Sequence, residues 1–182
     1  MSTKKENIIT NLTIRFETIK GYQSQVDWKE KLKLHDSSGY EYKASIFLMV
    51  LGYSRYKYIE LTLDQTGETL FKCLTHAFKY YGGTTEEILF DNMKTIVDQV
   101  KSNYTQVVIN AKANQFAKDA GFQIITCKPY RPRTKGKVET LAKIMNRLKA
   151  FDYEFRDIEE LNHIVKKLNY DLNYEEKSQA ID

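Results

Sequence analysis

The sequence predicts an α/β fold: a five-stranded mixed sheet, an antiparallel meander followed by parallel strands, with helices on both faces. Three observations lead there. The chain opens with three β-rich runs joined by short turns. Segments of helical periodicity then alternate with short strand-like runs. One of those runs, Ile88-Leu89-Phe90, is continuously apolar, as in a strand buried on both faces.

The elements follow in order. Residues 1–13 are polar and read as a flexible segment, leaving 14–182 as one domain with an acidic helical segment from about Asp152. Tyr22 to Leu34 reads as a strand with Val26 and Trp28 on one face and Asp27 on the other. The cluster His35-Asp36-Ser37-Ser38-Gly39 is a turn. Tyr40 to Leu51 and Tyr56 to Leu63 complete the meander across Gly52. Leu70, Leu74, Ala77, Phe78 and Tyr81 recur at helical spacing, and Gly82-Gly83 ends that helix. Glu86 to Phe90 is the fourth strand. A helix over Asn110 to Ala120 stops at Gly121, and Phe122 to Cys127 is the fifth strand. Val138, Leu141, Met145 and Leu148 mark the apolar face of a third helix, and a last helix covers Ile158 to Leu172.

Composition narrows the function. A chain of 182 residues, 42% of them hydrophobic, supports a real core and excludes intrinsic disorder. The 13 Tyr and nine Phe lie mostly in strand-like or helix-like runs and read as core, with platforms for bases as the other reading. Net charge is +4, but nine acids against four bases from Asp152 to Asp182 leave +9 on the rest. A basic body with an acidic tail suits a nucleic-acid binder. Cys73 and Cys127 sit in apolar segments and read as buried free thiols. His35, His76 and His163 lack zinc-ligand spacing and read as structural. No apolar run approaches the roughly 20 residues of a membrane span, and no signal-peptide pattern precedes the first periodic segment. This points to a cytoplasmic protein.

Eight of the 28 Lys and Arg residues fall between Lys128 and Lys149, around one carboxylate, Glu139. Both prolines, Pro129 and Pro132, stiffen the start of this arm. Its helix N-terminus and the surrounding cations favour an ionised Glu139. Phosphate repels such a carboxylate unless a metal ion sits between them. Two further acids stand out. Asp27 interrupts a strand, where Asp is disfavoured. Asp91 ends a buried strand, where open α/β sheets present their ligands. If the first and fourth strands are neighbours, the two converge, and the helix can bring Glu139 to the same edge. Three converging carboxylates suit hard divalent cations, Mg²⁺ or Mn²⁺. The other reading is an ordinary set of acids paired with nearby Lys and Arg.

The ordered segments Gln25-Val26-Asp27-Trp28, Val50-Leu51-Gly52-Tyr53-Ser54-Arg55, Phe90-Asp91-Asn92-Met93-Lys94-Thr95 and Pro129 to Glu139 together resemble the catalytic core of DDE transposases in the retroviral-integrase superfamily, and above all the IstA type of bacterial insertion sequences. The likeness runs from about Ile14 to Asn173, and its most specific piece is the motif ending Lys135-Gly136-Lys137-Val138-Glu139. It implies an RNase H-like fold with Asp27, Asp91 and Glu139 as catalytic and metal-holding residues, 64 and 48 residues apart. Two Mg²⁺ or Mn²⁺ ions are expected with DNA bound. The second spacing exceeds that of retroviral integrases and implies added structure around Asp98 to Gln106. The implied chemistry is hydrolysis at the 3′ end of the element, then attack of the freed hydroxyl on target DNA. The implied partners are transposon-end and target DNA, further copies of the chain and an AAA+ helper ATPase, at the bacterial nucleoid. No helix-turn-helix region like that of the full transposases stands before Asp27, so the likeness is to the catalytic core.

Lys135, Lys137, Lys143 and Arg147 lead the expected phosphate contacts, followed by Arg131, Arg133 and Lys94. Lys143 and Arg147 lie four and eight residues beyond Glu139, on its side of a helix. Tyr130 either stacks on a base or packs in the loop. Asn92 either orients Asp91 or touches DNA. A non-catalytic nucleic-acid-binding module and a nuclease that does not join strands are the competing functions.

Overall fold

A computed structural model describes residues 19–91, 93–99, 107–126 and 135–178, with side chains for all of these except 29–31, 99, 135–139 and 175–178. The segment expected to be flexible at 1–13 lies outside the described residues.

Three strands form the antiparallel meander: β1 (Gln23–His35), β2 (Glu41–Leu51) and β3 (Lys57–Thr62). The helix α1 (Gly67–Tyr81) begins at Thr66, whose hydroxyl accepts from the Thr69 N–H, and ends at Gly82 with φ +76°. The fourth strand, β4 (Glu87–Phe90), returns beside β1 and parallel to it. Two short strands, β5 (Val97–Gln99) and β6 (Val108–Ile109), make an antiparallel pair apart from the main sheet. They flank the stretch where added structure was expected; residues 100–106 between them lie outside the described residues. Next come α2 (Ala111–Ala120), capped by the Asn110 side chain, and β7 (Gln123–Thr126), parallel to β4. The chain closes with α3 (Lys135–Lys149) and α4 (Ile158–Ser178). The main sheet therefore has five strands in the order β3-β2-β1-β4-β7, the predicted mixed sheet.

Each face of the sheet carries its own core. Val26, Trp28, Phe47, Met49, Ile88 and Phe90 pack against Leu70, Leu74 and Ala77 of α1 and Ala113 and Ala117 of α2. Leu32, Leu34, Ala44, Ile46, Leu48, Ile59 and Leu61 pack against Leu141, Ile144 and Leu148 of α3 and Leu161, Val165, Leu168 and Leu172 of α4. β1 serves both. Strict alternation would put Val26, Trp28, Leu32 and Leu34 on one face. The register of β1 against β2 shifts between Lys29 and Leu32, so one extra residue turns Leu32 and Leu34 to the other side. Alternation read from the sequence does not reveal this bulge.

The β3 edge of the sheet is closed by two side chains. Asn169 Oδ1 accepts from the Ile59 N–H at 3.0 Å. Asn173 Oδ1 accepts from the Lys57 N–H at 2.8 Å, and its Nδ2 donates to Lys57 O at 2.7 Å. Both asparagines are buried, at 5% and 2% exposure, one helical turn apart on α4. They give an edge strand the backbone partners that a sixth strand would otherwise supply. Asn173→Ala strands two of these groups and should cost about 1–3 kcal/mol in urea unfolding. Tyr170→Ala, on the exposed side of the same helix, should cost much less.

Candidate active site

The register of one strand pair places the first two acids. In the parallel pair of β1 and β4, Val26 is opposite Phe90. The next residue on each chain is an aspartate, Asp27 and Asp91. Neighbouring strands lie about 4.8 Å apart, so the two acids stand side by side. Val26 and Phe90 are fully buried under α1 and α2. Alternation therefore aims Asp27 at the opposite face, the α3 side, where its antiparallel partner Leu48 belongs to the second core. Asp27 is half-buried and its Oδ1 accepts from the Trp28 N–H at 2.8 Å; Asp91 is exposed. Trp28 is itself held, with Nε1 donating to Thr62 Oγ1 at 3.1 Å. After Asp91 the backbone turns at once, with Met93 N–H donating to Asp91 O at 2.6 Å and Ile96 N–H to Met93 O at 3.0 Å. This leaves Lys94 exposed beside the acids.

The third acid arrives on α3. β7 ends at Thr126, the register partner of Phe90, so β7 stops level with the end of β4, one residue before Asp91. α3 packs on β1 and β2. The turn after it is bonded to His35 at the far end of β1. Fifteen helical residues cover about 22 Å. The eight steps from Asp27 to His35 cover about 26 Å. The helix thus spans the distance from the Asp27 level to the His35 level. Glu139 is its fifth residue, near the Asp27 end.

Positions 139, 143 and 147 share a stripe of α3 opposite the buried Leu141, Ile144 and Leu148. Lys143 and Arg147 on that stripe are exposed. Ile144, absent from the predicted apolar face, is fully buried and Met145 only partly so. Among the other predicted site residues, Lys135 and Lys137 fall in the first turn of α3, where side chains are not described. Asn92, Tyr130, Arg131 and Arg133 lie outside the described residues. Among the described residues, no group of three or more His, Cys, Asp and Glu side chains could hold a metal ion; the side chain of Glu139 is not one of them. Cys73 is buried and unpaired, and burial pushes its thiol well above the usual range; Cys127 lies outside.

His35 and His76 have structural partners, as expected. His76 Nδ1 lies 3.0 Å from Glu60 Oε1. The set around His35 was invisible in the sequence, because its members Asp152 and Tyr153 are more than a hundred residues away in the chain. The Asp152 carboxyl is held below the usual range, first by the His35 backbone N–H.

The profile of the "Integrase core domain" family matches residues 17–132, a span that includes Asp27 and Asp91 and stops before Glu139. The transposase for insertion sequence element IS232 of Bacillus thuringiensis subsp. berliner is 36% identical over 160 residues, 88% of this chain and 37% of the relative. The transposase for insertion sequence element IS21 of Pseudomonas aeruginosa is 33% identical over 156 residues, 86% of this chain and 38% of the relative. The chain thus spans under half the length of these curated relatives. Two solved structures share the fold. The catalytic core domain of BIV integrase superposes with a TM-score of 0.56 at 17% identity, covering 85% of this chain and 84% of the other. A chain of the simian T-cell lymphotropic virus intasome in complex with PP2A regulatory subunit B56 gamma gives 0.60 at 16% identity, covering 85% and 49%.

Proposed function

The chain belongs to the integrase core domain family, and from that premise we propose that it is the catalytic core of an insertion-sequence DNA transposase, a polynucleotidyl transferase that hydrolyses the 3′ end of the element and joins it to target DNA. One observation supports the reading most: the β1–β4 register puts Asp27, inside β1, beside Asp91, just past the end of β4. Two carboxylates so close repel one another unless cations share them. Both are hard oxygen donors, Asp27 half-buried on the central strand and Asp91 exposed just past β4, and so they fit a divalent cation.

Cores of this family work with divalent metals; here the ions are Mg²⁺ or Mn²⁺, two of them with DNA bound, held by Asp27, Asp91 and Glu139. When bound, such ions stabilise the charge on the attacking and leaving oxygens of an in-line phosphoryl transfer. The chain's own residues do the rest. Lys143 and Arg147 project from the stripe of α3 that carries Glu139 and bind DNA phosphates, with Lys135 and Lys137 one to two turns earlier. Lys94 serves the same end beside Asp91, and Arg131 and Arg133 extend the surface along the loop. Tyr130 and Asn92 complete the proposed set of DNA-binding residues. Phosphate contacts of this kind position the duplex without reading its sequence. The further partners are other copies of the chain and an AAA+ helper ATPase, at the bacterial nucleoid.

If Lys143 and Arg147 each neutralise one phosphate, replacing either by Ala should flatten the log–log salt dependence of DNA binding by roughly 0.9. An unchanged slope for both variants would put the DNA on another face. Glu139→Gln keeps size and hydrogen-bonding capacity but removes the charge. It should abolish joining of pre-processed ends in Mn²⁺ while leaving DNA affinity equal or higher. Joining that survives the substitution would refute the assignment of Glu139.

A further inference from the structure

The turn between α3 and α4 is tied to the end of β1 more firmly than a connection requires. Asp152 Oδ1 accepts from the His35 backbone N–H at 2.6 Å and lies 3.1 Å from His35 Nδ1. The Tyr153 N–H donates to His35 O at 2.7 Å, and the Ser37 N–H donates to Phe155 O at 2.8 Å. The Tyr153 ring stacks on the imidazole with centroids 4.7 Å apart and planes 5° from parallel. Phe155 is fully buried two residues further on. To make these contacts Tyr153 adopts φ +65°, a left-handed conformation that favours glycine. Such a backbone persists only where its surroundings over-determine it. A glycine would turn the chain without strain, but it would bring no ring to His35.

What this clamp fixes follows from where β1 runs. The same strand carries Asp27 eight residues before His35, so both the first acid and the tether of α3 are set in one strand. Sliding α3 by one residue along β1 would move position 139 by about 1.5 Å and turn it by about 100°. Metal sites require ligand distances within about 0.2 Å. Apolar packing of Leu141, Ile144 and Leu148 fixes which face of α3 meets the sheet, since that rotation would carry all three out of the core, but it is not directional and leaves smaller shifts along β1 less restrained. Hydrogen bonds to one backbone position are directional, and those at His35 set the register of the helix.

We propose that His35, Asp152 and Tyr153 are positioning residues: by clamping the end of α3 to the end of β1, they hold Glu139 in line with Asp27 and Asp91. The proposal rests on the reading of Glu139 as a metal ligand. The test is Mn²⁺ affinity measured by electron paramagnetic resonance with a mixed-sequence DNA duplex present, alongside thermal melting. Asp152→Ala should weaken Mn²⁺ binding by about 10-fold or more, the range seen when a group supporting a ligand is removed. Asp152→Asn keeps the accepting oxygen and should bind Mn²⁺ close to the wild-type affinity. Tyr153→Gly relieves the backbone and removes only the ring, so it should fold well and still weaken binding. Asn173→Ala loosens the opposite edge of the sheet and should leave Mn²⁺ affinity unchanged; this separates positioning from general stability. Wild-type affinity in both Asp152→Ala and Tyr153→Gly would overturn the clamp's role, as would an equal loss in Asn173→Ala. If Glu139→Gln also binds Mn²⁺ like the wild type, the ligand reading of Glu139 falls and the clamp's role with it. If Glu139→Gln weakens binding and the clamp variants do not, the clamp alone falls.

Discussion

The parallel pairing of β1 with β4 is the constraint on which the rest of the molecule depends. Four register pairs, Gln23 with Glu87 through Val26 with Phe90, fix which residue of β1 stands beside the end of β4. A slip of one residue would separate Asp27 from Asp91 and turn one of them into the α1 core. The slip is prevented by burial. Val26, Ile88 and Phe90 are fully buried beneath α1 and α2, and Ser24 bonds Thr85 across the start of the pair at 2.7 Å. The apolar residues of these two strands thus hold the two charged ones in place.

The second layer uses the opposite face for a different purpose. The bulge in β1 between Lys29 and Leu32 lets one strand contribute to both cores. Before the bulge β1 supports α1 and presents Asp27 to the α3 side; after it, β1 supports α3 and α4. α3 lies over the strand that carries Asp27, and its solvent stripe joins Glu139 to two exposed cations, Lys143 and Arg147. The closed edge at β3, where Asn169 and Asn173 bond the backbone, keeps a long meander from pairing with other chains.

Much of this was legible in the sequence. The order and type of all five main strands and four helices followed from periodicity and from glycines such as Gly82 and Gly121, whose positive φ ends α1 and α2. The meeting of Asp27 and Asp91 followed once the first and fourth strands were taken as neighbours. The resemblance to integrase-type cores agrees with the family match. What escaped was non-local or short. β6 has two residues, too few for a periodic signal. The bulge in β1 exists only relative to β2. α4 runs six residues past the predicted Leu172, because its last turns carry mostly polar residues and give no apolar period. The His35–Asp152 contact joins residues 117 apart in the chain, and the amides of Asn169 and Asn173 meet β3 more than a hundred residues away.

The central claim is that the sheet register and α3 together build one divalent-metal site from Asp27, Asp91 and Glu139. Anomalous diffraction at the manganese edge, from crystals grown with Mn²⁺ and a DNA duplex, tests it most directly. Anomalous peaks are expected within coordination distance of the carboxylates of Asp27 and Asp91, with Glu139 completing the site. Manganese bound elsewhere on the chain, with those two carboxylates free of metal, would contradict it.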